Sequence, residues 1–178
     1  LENVIITFSI TETIIWDRNT FSVLKNIYNG LFFKIFPFTE KIIFGSISGD
    51  LFFWNRKEDN IKLIPNSSHI NPILDIKSIN ENFFISYSSN ELIIWKKDSL
   101  VKKKYKKEDE KWISIIEKID KEYILVGFYD IFIYSINTLE KIKKINGIYE
   151  KIYSILPLYN NYFLTSTNKC NIYLYSLD

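Results

Sequence analysis

Leu51-Phe52-Phe53-Trp54-Asn55 and Leu92-Ile93-Ile94-Trp95-Lys96 are the stretches that decide the fold. Each is a short apolar run that closes on Trp and then turns polar. The same ending recurs at Thr13-Ile14-Ile15-Trp16-Asp17, Ile131-Phe132-Ile133-Tyr134-Ser135 and Ile172-Tyr173-Leu174-Tyr175-Ser176. The anchors Trp16, Trp54, Trp95, Tyr134 and Tyr175 stand 38, 41, 39 and 41 residues apart. Self-similarity at such a period marks a repeat architecture. Helix-pair solenoids share the period, so strand content has to decide.

Working outward from each anchor, a second apolar run precedes it across a short turn. Ile42 to Ser48 leads into Gly49-Asp50, Phe83 to Ser89 into Asn90-Glu91, Tyr123 to Phe128 into Tyr129-Asp130, and Tyr162 to Thr167 into Asn168-Lys169. Two β-rich runs joined by a few residues of this type predict hairpins. One more strand lies upstream in each unit: Leu31 to Phe38, Pro72 to Ile79, Trp112 to Ile119 and Ile152 to Leu158. A more polar strand follows the anchor, at Phe21 to Ile27, Asn60 to Ile64, Leu100 to Lys106 and Leu139 to Ile145. Four antiparallel strands per forty residues, apolar inside and polar outside, describe a blade of an all-β propeller. The lysines of the outer strand keep an exposed sheet edge from pairing with other chains. The expected blades span 1–29, 30–68, 69–109, 110–147 and 148–178. The first lacks its opening strand and the last its closing one. This incomplete set, about four and a half blades, predicts that the chain is part of a larger propeller completed by further sequence or by a partner.

The repeats resemble those of the WD-repeat family. Trp16-Asp17, Trp54-Asn55 and Trp95-Lys96 stand at that family's Trp-Asp position, and Gly45-Ser46-Ile47-Ser48-Gly49-Asp50 is similar to its Ser-Gly-Ser-x-Asp-Gly turn. Ser68-His69, 26 residues before Trp95, sits where the family keeps Gly-His, with Asn71-Pro72-Ile73 after it. The match is one of period and pattern over nearly the whole chain. One repeat has a true Trp-Asp, one has the His, and the last two carry Tyr for Trp. The resemblance therefore implies a buried His–Ser–Trp–Asp network in few blades. Other propeller families stay open, although kelch repeats would show a paired Gly-Gly that is absent.

Composition agrees with strands. The chain has 14 Phe, 12 Tyr and 4 Trp, no Ala and no Gln, so the best helix former is missing and pleated surfaces are favoured. Abundant Ile, Lys and Asn fit an A/T-rich genome, so lysine content alone is weak evidence of binding chemistry. The net charge of +2 gives no global field toward nucleic acid or anionic membrane. Cys170, the one cysteine, excludes an internal disulfide, fits a reducing compartment, and is expected to be a small buried or half-buried hydrophobe. No apolar run approaches the length of a membrane helix. Intracellular placement, cytoplasmic or nuclear, is the expectation.

The ingredients of catalysis are scarce. One His and one Cys cannot form a four-ligand zinc site. His69 beside Ser67 and Ser68 is a sequential neighbourhood, whereas a triad is a spatial one with a third orienting group. Its expected role is a hydrogen-bonded turn residue. The Gly45–Asp50 turn lacks the Lys and following helix of a phosphate loop. Asp50, Asp75 and Asp130 read as turn formers, and Asp109-Glu110 as solvated. No catalytic residue, metal or cofactor is expected, and the chain reads as a non-enzyme. The one candidate contact stretch is Lys102, Lys103, Lys104, Tyr105, Lys106 and Lys107, a site for phosphate or an acidic peptide with Tyr105 for stacking. The bland reading is a solvated outer strand. The leading function is a protein–protein interaction scaffold within a multiprotein assembly. The alternatives are an RNA- or ribonucleoprotein-associated propeller using Lys102–Lys107, or the non-catalytic part of a larger enzyme.

Overall fold

The computed structural model describes residues 3–9, 11–28, 32–38, 41–55, 57–96, 102–106, 112–146, 149–159 and 161–177. No helix occurs among them. Eighteen strands form five separate antiparallel sheets. The first holds β1 (Val4–Phe8), β2 (Glu12–Asp17) and β3 (Val23–Tyr28). The second holds β4 (Phe32–Phe38), β5 (Lys41–Ser46), β6 (Leu51–Asn55) and β7 (Asn60–Leu63). The third holds β8 (Asp75–Ser78), β9 (Phe83–Tyr87), β10 (Glu91–Lys96) and β11 (Lys102–Lys106). The fourth holds β12 (Ile115–Lys118), β13 (Tyr123–Gly127), β14 (Ile131–Ser135) and β15 (Lys141–Ile145). The fifth holds β16 (Ile152–Pro157), β17 (Tyr162–Thr167) and β18 (Ile172–Ser176). Within each sheet the spatial order follows the chain order. Three, four, four, four and three strands is the count expected from the repeat.

The apolar residues alternate between the two faces of each sheet, as the pleat requires. In the second sheet Ile42 pairs with Trp54 and Phe44 with Phe52. These four pack against Ile15, Val4, Ile6 and Ile27 of the first sheet. The opposite face carries Ile43, Leu51 and Phe53, which pack on Ile73, Ile76, Phe84 and Trp95 of the third. A third cluster joins the third and fourth sheets, and a fourth joins the fourth and fifth. The core is thus a series of four layers between five sheets. Each fully buried Ile, Leu or Phe contributes about 1.5–3 kcal/mol to such a layer. In every layer the anchor of the later sheet faces the sheet before it, as Phe84 stacked on Trp95 at 5.9 Å does toward Phe36.

Turn chemistry punctuates the strands. Asp17, Asn80 and Asp120 accept backbone N–H groups two and three residues on, which helps close tight turns beside their backbone bonds. Asp50 differs from its expected role: its carboxylate takes the Ser48 and Ser68 hydroxyls instead.

Two expectations need correction. The opening strands are shorter than Pro72–Ile79 and Trp112–Ile119, because their first residues bond to the preceding sheet. Ile73 N–H donates to Ser46 O at 3.2 Å and Ile113 N–H to Ser89 O at 2.6 Å. Cys170 is exposed, not buried. It occupies a turn between β17 and β18 with φ 62°.

Candidate protein-docking surface

The antiparallel order a–b–c–d puts two kinds of connection at one end of each sheet. These are the turn between the second and third strands, and the linker into the next sheet. Backbone bonds hold the linkers into the third, fourth and fifth sheets on the sheet before each. His69 N–H reaches Gly49 O at 2.8 Å, and Ile152 N–H reaches Phe128 O at 2.8 Å. Gly49 is required here. Its φ is +90°, and a Cβ would stand 2.3 Å from the His69 carbonyl oxygen.

Apolar residues are exposed at this end in the turns Ile47 and Tyr129 and the linkers Ile70, Trp112 and Tyr149. Trp112 is 68 % and Tyr149 87 % exposed, far more than a core side chain at the start of a strand. Sequence reading placed Trp112 inside an opening strand, whereas the linker geometry leaves it outside. Its position just before a strand, beside charged residues, was the available signal. The opposite end of the middle three sheets has a different character. Its described turns are Lys57-Glu58-Asp59, Asn80-Glu81-Asn82, Asp120-Lys121-Glu122 and Asn137-Thr138-Leu139. The linker end carries exposed apolar and aromatic side chains, and the other end of the middle three sheets is mainly charged and polar, while the outer two sheets expose Phe21 and Tyr159 there.

Beneath the apolar end lies a buried polar group at the second-to-third linker. Trp95 Nε1 donates to Ser86 Oγ at 2.9 Å, and Ser86 Oγ meets His69 Nε2 at 2.8 Å. With the oxygen accepting from Trp95, the hydroxyl hydrogen of Ser86 is available to His69. The Glu91 carboxylate stands 3.7 Å from His69 Nδ1 and accepts the Ile70 N–H at 3.0 Å. His69 and Glu91 are both fully buried. The Ser67 hydroxyl completes the attachment by accepting from Leu51 N–H at 3.0 Å. His69 therefore clamps a linker between two sheets, which is more than the turn cap expected of it. Glu91, which the sequence reading passed over, supplies the carboxylate. The group reaches no solvent and so offers no reaction site; its effect is to hold Ile70 at the surface.

The equivalent slot differs from sheet to sheet. Trp16 Nε1 donates to Thr7 Oγ1 at 2.9 Å in the first sheet. In the second, the register puts Phe44 diagonal to Trp54, and the indole turns to Asp59 Oδ1 at 3.1 Å. The linker into the fifth sheet (the fifth linker, counted by the sheet it enters) is held by Glu150. Its carboxylate takes the Thr167 hydroxyl and the Asn171 amide at 3.0 Å, with Lys169 Nζ 3.7 Å away. The Thr167 bond, then Asn171 and Lys169, hold Glu150 below the usual carboxylate range against a smaller opposing effect of burial.

Of the predicted contact stretch, Lys102–Lys106 is the edge strand β11 of the third sheet. The side chains of Lys102, Lys103, Lys104, Tyr105 and Lys106, and the whole of Lys107, lie outside the described residues. No group of three or more His, Cys, Asp or Glu that could hold a metal occurs among the described residues. A groove of about 310 Å³ opens at the charged end, between the fourth and fifth sheets. Tyr123, Ile133, Ile142 and Leu177 form its apolar lining, with Asp120 and Lys143 at the rim.

The sequence matches no protein-family model and no curated protein. Among solved structures the fold is similar to the computationally designed Ika8 protein, with TM-score 0.78 and 11 % identity. That likeness covers 98 % of this chain, which spans 56 % of the length of Ika8. The computationally designed Ika4 protein is also similar, with TM-score 0.69 and 9 % identity over 85 % of this chain and 94 % of that one. No helix of the described residues is long and apolar enough to cross a membrane.

Proposed function

We propose that residues 1–178 are consecutive blades of a propeller of the WD-repeat type, and that this propeller is a non-catalytic scaffold for protein–protein contacts inside the cell. The carrying observation is the segregation of the two ends. Exposed Ile70, Trp112 and Tyr149 sit on linkers bonded to the sheets beneath them, while the described turns at the other end of the middle three sheets are mainly charged and polar. Rigid aromatic groups on an ordered surface are what protein interfaces use as anchors, because little side-chain entropy is lost on contact. The WD-repeat reading draws support from one repeat in which His69, Ser86 and Trp95 form a buried relay. Glu91 stands in it as the carboxylate.

The test uses the complex purified from the native source by a tag on this chain. The paired substitution Trp112→Ala and Tyr149→Ala is expected to release a stoichiometric partner. Glu81→Ala with Lys121→Ala should retain it. A chain that purifies alone, or a partner lost equally in both variants, would count against the scaffold. Charge reversal across Lys102–Lys107 separates the nucleic-acid reading. If that reading held, bound RNA would fall away with this variant and with rising salt.

A further inference from the structure

The linkers into the third, fourth and fifth sheets each place one large apolar side chain at the same end of the molecule. These are Ile70, Trp112 and Tyr149, at 69 %, 68 % and 87 % exposed. Each is held from below. Ile70 N–H donates to Glu91 Oε2 at 3.0 Å. Beside Trp112, Ile113 N–H reaches Ser89 O at 2.6 Å and Ser114 N–H reaches Gly127 O at 3.0 Å. Beside Tyr149, Glu150 is fixed by Thr167 and Asn171, and Ile152 N–H reaches Phe128 O at 2.8 Å. Tyr129 is half exposed on the turn of the fourth sheet. It lies between the two aromatic linkers, because one bonds to Gly127 and the other to Phe128, where that turn begins. Each of these linkers has a described sheet on both sides, so the exposure is a property of the linker end itself.

The spacing of this row selects its ligand. Sheets packed face to face stand about 10 Å apart, so successive linkers offer an apolar group at about that interval. A polyproline II helix repeats every three residues, about 9.3 Å, and thus meets one linker per turn. A β-strand returns to the same face about every 7 Å, out of step with the sheets. An α-helix reaches a similar interval only at every seventh residue. Its docking mode also needs a groove, whereas these side chains stand out from the surface. Charge points the same way. Asp130, beside Tyr129, is 3.0 Å from Lys144, and Glu150, beside Tyr149, is taken by Thr167, Asn171 and Lys169. Both carboxylates next to the tyrosines are engaged within the chain, so the row matches an uncharged, apolar segment.

We infer that the linker end over the third, fourth and fifth sheets binds a proline-rich segment of a partner protein in the polyproline II conformation. Pyrrolidine rings on successive turns of the segment stack on Trp112, Tyr129 and Tyr149, and a further apolar group meets Ile70. Aromatic surfaces dock such segments because the ligand conformation is formed before contact and little entropy is lost. The aromatic side of the contact is equally prepared, by the bonds that hold each linker. This partner chemistry rests on the docking surface proposed above.

The probe is decaproline, about 31 Å long as a polyproline II helix, titrated into the whole 178-residue chain and read by NMR. The expected result is saturable shifts at the Trp112 indole and at the Tyr129 and Tyr149 amides. Trp112→Ala and Tyr149→Ala should each weaken binding about tenfold. An amphipathic helical peptide of leucine and lysine, and a short oligouridylate, should leave those signals where they are. Absence of shifts with decaproline overturns the idea, as do shifts that survive both substitutions. Stronger shifts with the helical peptide or the oligonucleotide also overturn it, and reassign the row to a helix or to stacked bases. Failure of the docking surface itself reads differently. In that case the chain carrying both substitutions would keep its native partner, whatever decaproline does. Loss of the partner from that variant, with no response to decaproline, overturns the polyproline chemistry alone. The buried Trp95 indole, unshifted in every sample, reports that the chain stays folded.

Discussion

The third and fifth sheets fill the same backbone positions with different chemistry. In the third, Trp95 is wholly buried and donates to Ser86, which meets His69. In the fifth, Tyr175 stacks on Phe163 at 5.4 Å, and the register sets Thr165 diagonal to it as Ser86 is to Trp95. Tyr has no ring N–H to give. Thr165 Oγ1 is buried without a hydrogen-bond partner among the described residues. The slot thus tolerates either residue as an aromatic spacer, but only Trp makes it a polar clamp. The fifth linker is fixed elsewhere, by Glu150.

That contrast can be broken most severely at the anchor. Trp95→Ala should cost about 3–5 kcal/mol, measured by urea denaturation, because it opens a void under the whole second layer. Tyr175→Ala, at a half-buried ring, should cost clearly less. Equal losses would mean that the two anchors do the same work.

Ser86→Ala comes next, with an expected loss of about 1–3 kcal/mol, since Trp95 Nε1 loses its acceptor and His69 Nε2 its partner. Thr165→Val in the fifth sheet should be neutral or stabilising, within about 1 kcal/mol, because the hydroxyl it removes is buried unbonded. A matching loss at both sites would erase the distinction.

Supplying the missing donor is the converse experiment. Tyr175→Trp should stabilise by about 0.5–1.5 kcal/mol, with the Thr165 hydroxyl becoming the acceptor. Destabilisation would show that the fifth sheet has no room for an indole.

The smallest effect concerns pH. Glu150 is held below the usual carboxylate range, first by the Thr167 hydroxyl. A depressed carboxylate stabilises above its unfolded-state value, and that contribution is lost as pH falls through the folded one. Protection of the Lys151 and Ile152 amides, corrected for the intrinsic exchange rate, should therefore fall on acidification below the ordinary glutamate range. Glu150→Gln should flatten that response.

Much of the fold was legible because period and alternation are local. Five aromatic anchors, and an apolar run across a turn before each, required hairpins whatever the tertiary arrangement. The count of three, four, four, four and three strands followed from the same pattern. Less was legible at strand starts. Residues 72–74 and 112–114 look like strand, yet Ile73 and Ile113 give their N–H groups to the preceding sheet. Propensity does not carry that competition. The candidate surface was nearly invisible for a related reason. Trp112 and Tyr149 have core composition, and only the linker geometry turns them outward. Cys170 was misjudged because a small apolar residue in a strand-like run gives no sign of a left-handed turn.

The sequence by itself determined an all-β repeat of hairpin-built sheets, since strand periodicity and turn residues are encoded within a few positions. It also determined which aromatic stands where in each unit. Tertiary structure alone decided which sheet each anchor faces, and that Glu91 and His69 meet Ser86 and Trp95 at one linker. Those outcomes depend on cross-strand register and on contacts between sheets, and a one-residue change in either moves a side chain to the opposite face.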